Sequence, residues 1–168
     1  MKCMTCGLEM VERQATDEAP YAYTLSGLKD VFLVGVRVHH CNSCGEEVPI
    51  IPRVGELHCL IAMTLVKQEP LLRGDEIRFL RKNAGFQGSE FAALMGVSPT
   101  YLSKVENGRL KLGLGADKLV RLLASADEKR RELLLEIAKD LKPARKPRSG
   151  SKKPVFKLEK HRWLQAVA

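Results

Sequence analysis

Cys3-Met4-Thr5-Cys6-Gly7 returns later in the chain as Cys41-Asn42-Ser43-Cys44-Gly45. A Cys-x-x-Cys turn aims two sulfurs at one point, and the Gly after it accepts the left-handed conformation that closes the turn. Two such turns supply four thiolates, the donor set of a closed tetrahedral site. The spacing therefore predicts that Cys3, Cys6, Cys41 and Cys44 hold one structural zinc ion, with no open position for water or substrate. Two disulfides and a rubredoxin-like iron centre are the alternatives. No signal peptide is read ahead of the first pair, which argues against the disulfides, and only spectroscopy separates the two metals. His39 and His40 precede the second pair and are candidate ligands of a variant site.

The stretch between the pairs reads as β-structure: Glu9 to Arg13, Tyr21 to Leu25, a Ser26-Gly27 turn, then Val31 to His40 with Val34, Val36 and Val38 in alternation. So short a unit buries little core, and a structural zinc supplies the deficit, worth ~10–16 kcal/mol in small peptides. Cys59 lies in an apolar helical run with Leu57, Leu60, Ile61 and Leu65 and is read as a core residue.

Asp75 to Leu141 reads as five short helices. The first covers about Asp75–Asn83, with Ile77 and Leu80 inward; the second covers about Ser89–Met95. Gly96-Val97 makes a turn, and the third helix begins with Ser98 as N-cap and Pro99 at its first position and ends at Gly108. The fourth spans about Asp117–Ala124. The fifth opens on Ser125-Ala126-Asp127-Glu128 as a capping box and runs to Leu141. Gly113-Leu114-Gly115 is a turn before the fourth helix, since it lacks the full phosphate-loop fingerprint. Two short helices around a Gly-containing turn form the unit that places its second helix in the major groove of DNA. On that helix Ser98, Thr100, Tyr101, Ser103 and Lys104 are expected outward, with Leu102 and Val105 inward. Lys104 has the reach for guanine O6 or N7, and Thr100 for a base edge or a thymine methyl.

Phe79 to Lys82 together with Phe91 to Gly108 resembles the Xre/Cro phage-repressor helix-turn-helix. Joined to an N-terminal Cys-x-x-Cys pair of knuckles, it is similar to the MqsA (YgiT-type) antitoxin family, metal-stabilised antitoxins that also repress their own operon. The resemblance covers roughly residues 1–141. It implies that Glu106 pairs with Arg81 and locks the third helix onto the first. It implies that Asn107 and Arg109 touch the DNA backbone or minor groove, and that Thr100 and Lys104 stand at base-reading positions. Two departures matter. Pro99 stands where a base-reading polar side chain is common, and Gly88 stands where a phosphate-binding Gln is usual. Backbone N–H groups around Ser89 remain available for a phosphate. The operator sequence is not transferable from the family.

The charge is segregated. Lys142 to Ala168 carries nine Lys or Arg against one acid, so the net +8 of the chain resides there. Residues 1–70 carry six bases against nine acids, and a zinc ion with four thiolates adds about −2 more. An acidic metal unit is ill suited to phosphate and suited to a basic protein partner, such as an RNA-cleaving toxin. The Pro-, Ser-, Gly- and Lys-rich tail is expected to be disordered, either holding phosphates or a minor groove or serving as a solubilising end. Val155-Phe156 and Trp163-Leu164 are odd in such a run and suggest a short ordering segment.

The chain thus divides into two modules. A zinc-bound β domain occupies residues 1–50. A connecting helix and linker, about 51–70, runs from Val54 to Gln68 and breaks at Glu69-Pro70. An all-α helix-turn-helix domain occupies 71–141, and the basic tail 142–168. No apolar run is long enough for a membrane span. A homodimer is expected because one such module contacts too few bases; Leu119, Val120, Leu122, Leu123, Leu133, Leu134, Leu135 and Ile137 exceed what a small helical core needs, and some of them are read as its interface, with core packing as the alternative. The expected function is an operator-binding repressor and antitoxin, in the cytoplasm at the nucleoid, with duplex DNA and a toxin as partners. A stand-alone Xre-type regulator and a redox protein on the cysteine pairs are the alternatives. No catalytic constellation is read around His39, His40, His58 or His161, so an enzyme is not expected.

Overall fold

The computed structural model describes residues 1–140, 155–159 and 162–166. Near the N-terminus, β1 (Val11–Gln14), β4 (Arg37–His40) and β5 (Glu47–Ile50) form an antiparallel sheet in the order β1-β4-β5. A second ribbon pairs β2 (Tyr21–Ala22) with β3 (Phe32–Leu33). The expected long strand from Val31 to His40 is therefore two strands. Gly35, at φ 79°, turns the chain between them, and its N–H donates to the Ala15 carbonyl at 2.8 Å while Ala15 N–H donates to Val36 at 2.9 Å. Cross-strand pairing runs from Val11 opposite His40 to Gln14 opposite Arg37. Arg13 and Glu47 tie the outer strands across β4 at 2.7 Å. The core of this unit is small: Ala15, Tyr21, Tyr23, Leu33 and Val38, with Cys3, Met10 and Cys41 as a separate cluster.

Six helices follow: α1 (Val54–Lys67), α2 (Gly74–Asn83), α3 (Gly88–Leu94), α4 (Pro99–Glu106), α5 (Leu114–Ala124) and α6 (Glu128–Asp140). The α2 to α5 core holds Ile77, Leu80, Phe91, Val105 and Val120, all nearly fully buried. At the N-termini of α2 and α3, Glu76 and Glu90 accept the Arg73 and Gln87 N–H groups at 2.7 and 2.8 Å. Such reciprocal caps satisfy donors a helix start leaves orphaned. Gly74 is obligatory for a different reason: a Cβ there would lie 2.2 Å from the Val105 carbonyl oxygen, so α2 packs on α4 through bare backbone.

Three expectations change here. Cys59 is exposed rather than core; α1 turns Ala62 and Leu65 inward and leaves Cys59, Leu60 and Met63 outside. The α5 helix begins three residues earlier than expected, with Gly113 as its N-cap. Asp117 thereby falls in the first turn and accepts the Leu72 N–H at 2.7 Å. Ser125 does not cap α6. Its hydroxyl donates back to the Leu122 carbonyl, and Asp127 takes the capping role by accepting Arg130 N–H at 2.9 Å. Of the surplus apolar residues, Val120 and Leu123 belong to the core, whereas Leu122 is 69% exposed and Leu133 is 55% exposed. The side chain of Ile137 lies outside the described residues.

The β unit and the helices share contacts. Leu28 joins the helical core alongside Ala62 and Leu65. Tyr23 hydroxyl and His58 Nε2 lie 2.8 Å apart, and the His58 ring meets Phe79 edge-on at 5.5 Å. Arg73 reaches Asp30 at 2.5 Å. The Glu69-Pro70 break is held from across the fold by Arg121, whose guanidinium donates to the carbonyls of Leu65, Val66, Gln68 and Pro70 and to Asp117. In the tail, expected to be disordered, β6 (Val155–Glu159) and β7 (Arg162–Ala166) pair antiparallel. Val155-Phe156 and Trp163-Leu164, the apolar pairs that suggest a short ordering segment, fall on these two strands; residues 141–154 lie outside the described residues.

Candidate metal centre and recognition helix

Each cysteine pair sits on the same local turn. In the first, Gly7 N–H donates to the Cys3 carbonyl at 2.9 Å and Cys3 N–H to Leu8 at 2.8 Å. In the second, Gly45 N–H donates to Cys41 at 2.9 Å and Cys41 N–H to Glu46 at 2.9 Å. Gly7 and Gly45 take φ of 75° and 76°, where an L side chain is strained. The three-stranded sheet brings the two turns together, since Cys41 directly follows β4 and the β1 partner strand follows the first turn. Cys3 and Cys44 sulfurs stand 3.5 Å apart, Cys6 and Cys41 sulfurs 3.4 Å, and all four lie within 4.8 Å of one another. A tetrahedron of Zn–S bonds at about 2.3 Å has sulfur edges close to such separations. The four-sulfur set fits one metal ion. His39 and His40 are outside it; His40 instead faces Glu47 at 3.5 Å.

The electrostatics of the four thiols call for a cation. Cys41 is held down at about 6 by the backbone N–H groups of Cys44 and Ser43. Cys44 gains the Glu46 N–H, which lowers it, yet the side chain of Cys3, burial, and the Cys41 and Cys6 side chains together push it up to about 12. Four neighbouring thiols do not all ionise unaided, and a dication at their centre makes them do so. Beside the site Glu46 accepts from the Thr5 hydroxyl, and its carboxylate lies 3.4 Å from the Cys3 sulfur, a hydrogen bond that only the protonated thiol makes and that metal binding removes.

The second cluster of expected site residues surrounds α4. Gly96, at φ 67°, carries the turn from α3 to α4. Ser98 caps α4, its Oγ accepting Tyr101 N–H at 3.1 Å. Thr100, Lys104 and Arg109 are exposed and make no side-chain hydrogen bond or ion pair among the described residues. Ser89 is exposed on the first turn of α3. Tyr101 is half-buried and packs on the core, so only part of it faces outward. Ser103 and Asn107 are committed to each other: Asn107 Nδ2 donates to the Ser103 carbonyl at 2.8 Å and to its hydroxyl at 3.3 Å. Arg81 and Glu106 form a two-pronged pair at 2.6 and 3.0 Å, with side chains only 11% and 7% exposed. Arg81 also donates to the Phe86 carbonyl at 3.0 Å, which fixes the α2–α3 corner. Arg78, a residue not expected at the site, donates to Asn107 Oδ1 at 2.6 Å. Its only sequence signal was a place one helical turn before Arg81.

The structure thus joins four cysteines placed to hold one metal ion to a helical domain with an exposed, capped helix, the make-up of a metal-binding two-part protein. The family described as the antitoxin component of bacterial toxin–antitoxin systems, MqsA, matches residues 1–138. The chain belongs to the MqsA antitoxin family and is the antitoxin of a toxin–antitoxin system. The comparison with curated proteins gives no match. No helix among the described residues is long and apolar enough to cross a membrane.

Proposed function

We propose that this antitoxin represses transcription from its own operator, reading DNA with α4 and holding its toxin through the acidic metal unit. The observation that carries the DNA reading is the pairing of a free outer row with a fixed inner one. Thr100, Lys104 and Arg109 point outward without partners among the described residues, while Arg81 holds Glu106 at the helix end. A base-reading side chain works only if its helix is fixed to within a fraction of an ångström, and a bidentate Arg–carboxylate pair gives that fixity. In this reading Lys104 and Thr100 contact base edges, Arg109 and the backbone around Ser89 contact phosphate, and Ser98, Tyr101, Ser103 and Asn107 position the helix. The ion in the cysteine site is zinc in a purely structural role. Two copies bind a two-half operator through the apolar surface that includes Leu122 and Leu133, in the bacterial cytoplasm at the nucleoid.

Lys104→Ala is the test. The side chain is exposed, so melting should not change, and specific binding should weaken by ~1–3 kcal/mol, the range for one good base contact. Fluorescence anisotropy on duplex DNA from upstream of its own gene reads this directly. Unchanged operator affinity would remove α4 from the reading role.

A further inference from the structure

The turn at residues 24–27 faces α2 across a cleft of about 350 Å³. Its walls carry His58, Arg78 and Lys82 on one chemistry and a single acid, Asp75, on the other. That acid is already engaged by the Arg73 guanidinium at 3.3 and 3.4 Å. Lys82 is exposed and has no partner among the described residues. Arg78 spends Nη2 on Asn107 at 2.6 Å and directs Nε toward Glu106 at 3.5 Å, while Glu106 is itself held by Arg81. A guanidinium has five N–H donors, so the Nη1 edge of Arg78 remains unused among the described residues. The cleft thus offers one lysine without a partner among the described residues, Lys82, beside an arginine edge with donors to spare.

We propose that this cleft is a phosphate site, filled by a backbone phosphate of the DNA on which α4 sits; the assignment rests on the DNA reading given above. A guanidinium edge fits phosphate oxygens geometrically and a lysine adds a mobile point charge. Position selects DNA as the source. Through its bond to Asn107, Arg78 is continuous with the end of α4, so a strand passing that end meets the cleft mouth. Such a contact carries no sequence information. It adds affinity to every duplex and contributes one released counterion.

The test is the salt dependence of DNA binding by the full chain, with the upstream duplex and a scrambled duplex as probes. Lys82→Ala should weaken both by the same factor and lower the slope of log affinity against log salt by about 1. Its preference for the upstream duplex should stay as in the wild type. A wild-type slope in Lys82→Ala overturns the proposal. Inorganic phosphate, titrated into DNA-free protein while the His58 ring is followed by NMR, separates the sources. Saturation in the absence of a slope change would mean a free phosphate ligand and would overturn the DNA assignment. Failure of the DNA reading itself looks different: the wild type then binds neither duplex. In that event the phosphate titration decides the cleft alone, upheld by a saturable His58 shift that Lys82→Ala abolishes and ended by no shift.

Discussion

Removal of the metal, by a strong chelator or by Cys41→Ser, is expected to unfold the first fifty residues. Structural zinc contributes ~10–16 kcal/mol of apparent binding free energy in small domains, and a whole domain is stable by only ~5–15 kcal/mol. The apolar clusters here, five buried residues beside a three-residue group that is itself two-thirds ligand, have little to put against that loss. The damage should not stop at the β unit, because Leu28 lies in the helical core and Tyr23 holds His58. Circular dichroism should show loss of the β contribution with most helix retained, and the helical melting transition should move down. Protons compete with the metal in a defined direction. The Cys41 thiol falls from 9.0 to about 6 in the folded chain, so its contribution to stability is complete above about 9 and disappears as pH falls through about 6. Metal release should therefore set in on acidification, since each ligand must be deprotonated to bind. A chelated protein with an unchanged melt would mean that the cysteines stabilise nothing.

Arg121→Ala is expected to be the most damaging single change among the helices. Asp117 is 3% exposed in its side chain and pairs with Arg121 at 2.7 Å. Removing the cation leaves a buried carboxylate without its counter-charge, a loss of ~3–5 kcal/mol in other buried pairs. It also strips a donor from four carbonyls at the end of α1 and in the following break. Asp117 in turn holds Leu72, so both sides of the Glu69-Pro70 break loosen together. Urea unfolding should show a large drop in midpoint. Arg121→Lys should fall between wild type and Ala, because an ammonium meets Asp117 but lacks the planar fork that spans several carbonyls. A loss below ~1 kcal/mol, the size of an exposed ion pair, would contradict this role.

What the sequence revealed and what it hid follow from the range of each interaction. The cysteine turns are local: two sulfurs three residues apart with a Gly after them, so their geometry is written in five letters. The α3–α4 corner is local too, with Gly96, Ser98 and Pro99 each doing what its backbone chemistry demands. Arg121 was illegible because its partners are backbone carbonyls some fifty residues upstream, and a carbonyl has no letter. The inward face of α1, and with it the exposure of Cys59, is not legible because the polar residues Glu56, His58, Thr64 and Lys67 are too few to leave a single apolar stripe on the helix. The turn at Gly35 is hidden in the sequence because Val34, Val36 and Val38 keep the strand alternation intact around it. The Arg78–Asn107 bond and the cleft beside it depend on how the 24–27 turn meets α2, which no spacing encodes.

The claim that joins the two halves of the molecule is that one chain grips a toxin with its metal unit while its helices grip an operator. Affinity capture of the tagged full chain from cells that carry it, followed by mass spectrometry, tests this most directly. One small, basic protein is expected at near-equal stoichiometry, retained by Lys104→Ala and lost by Cys41→Ser. A chain that comes down without a protein partner, or one whose partner survives loss of the metal unit, would contradict it.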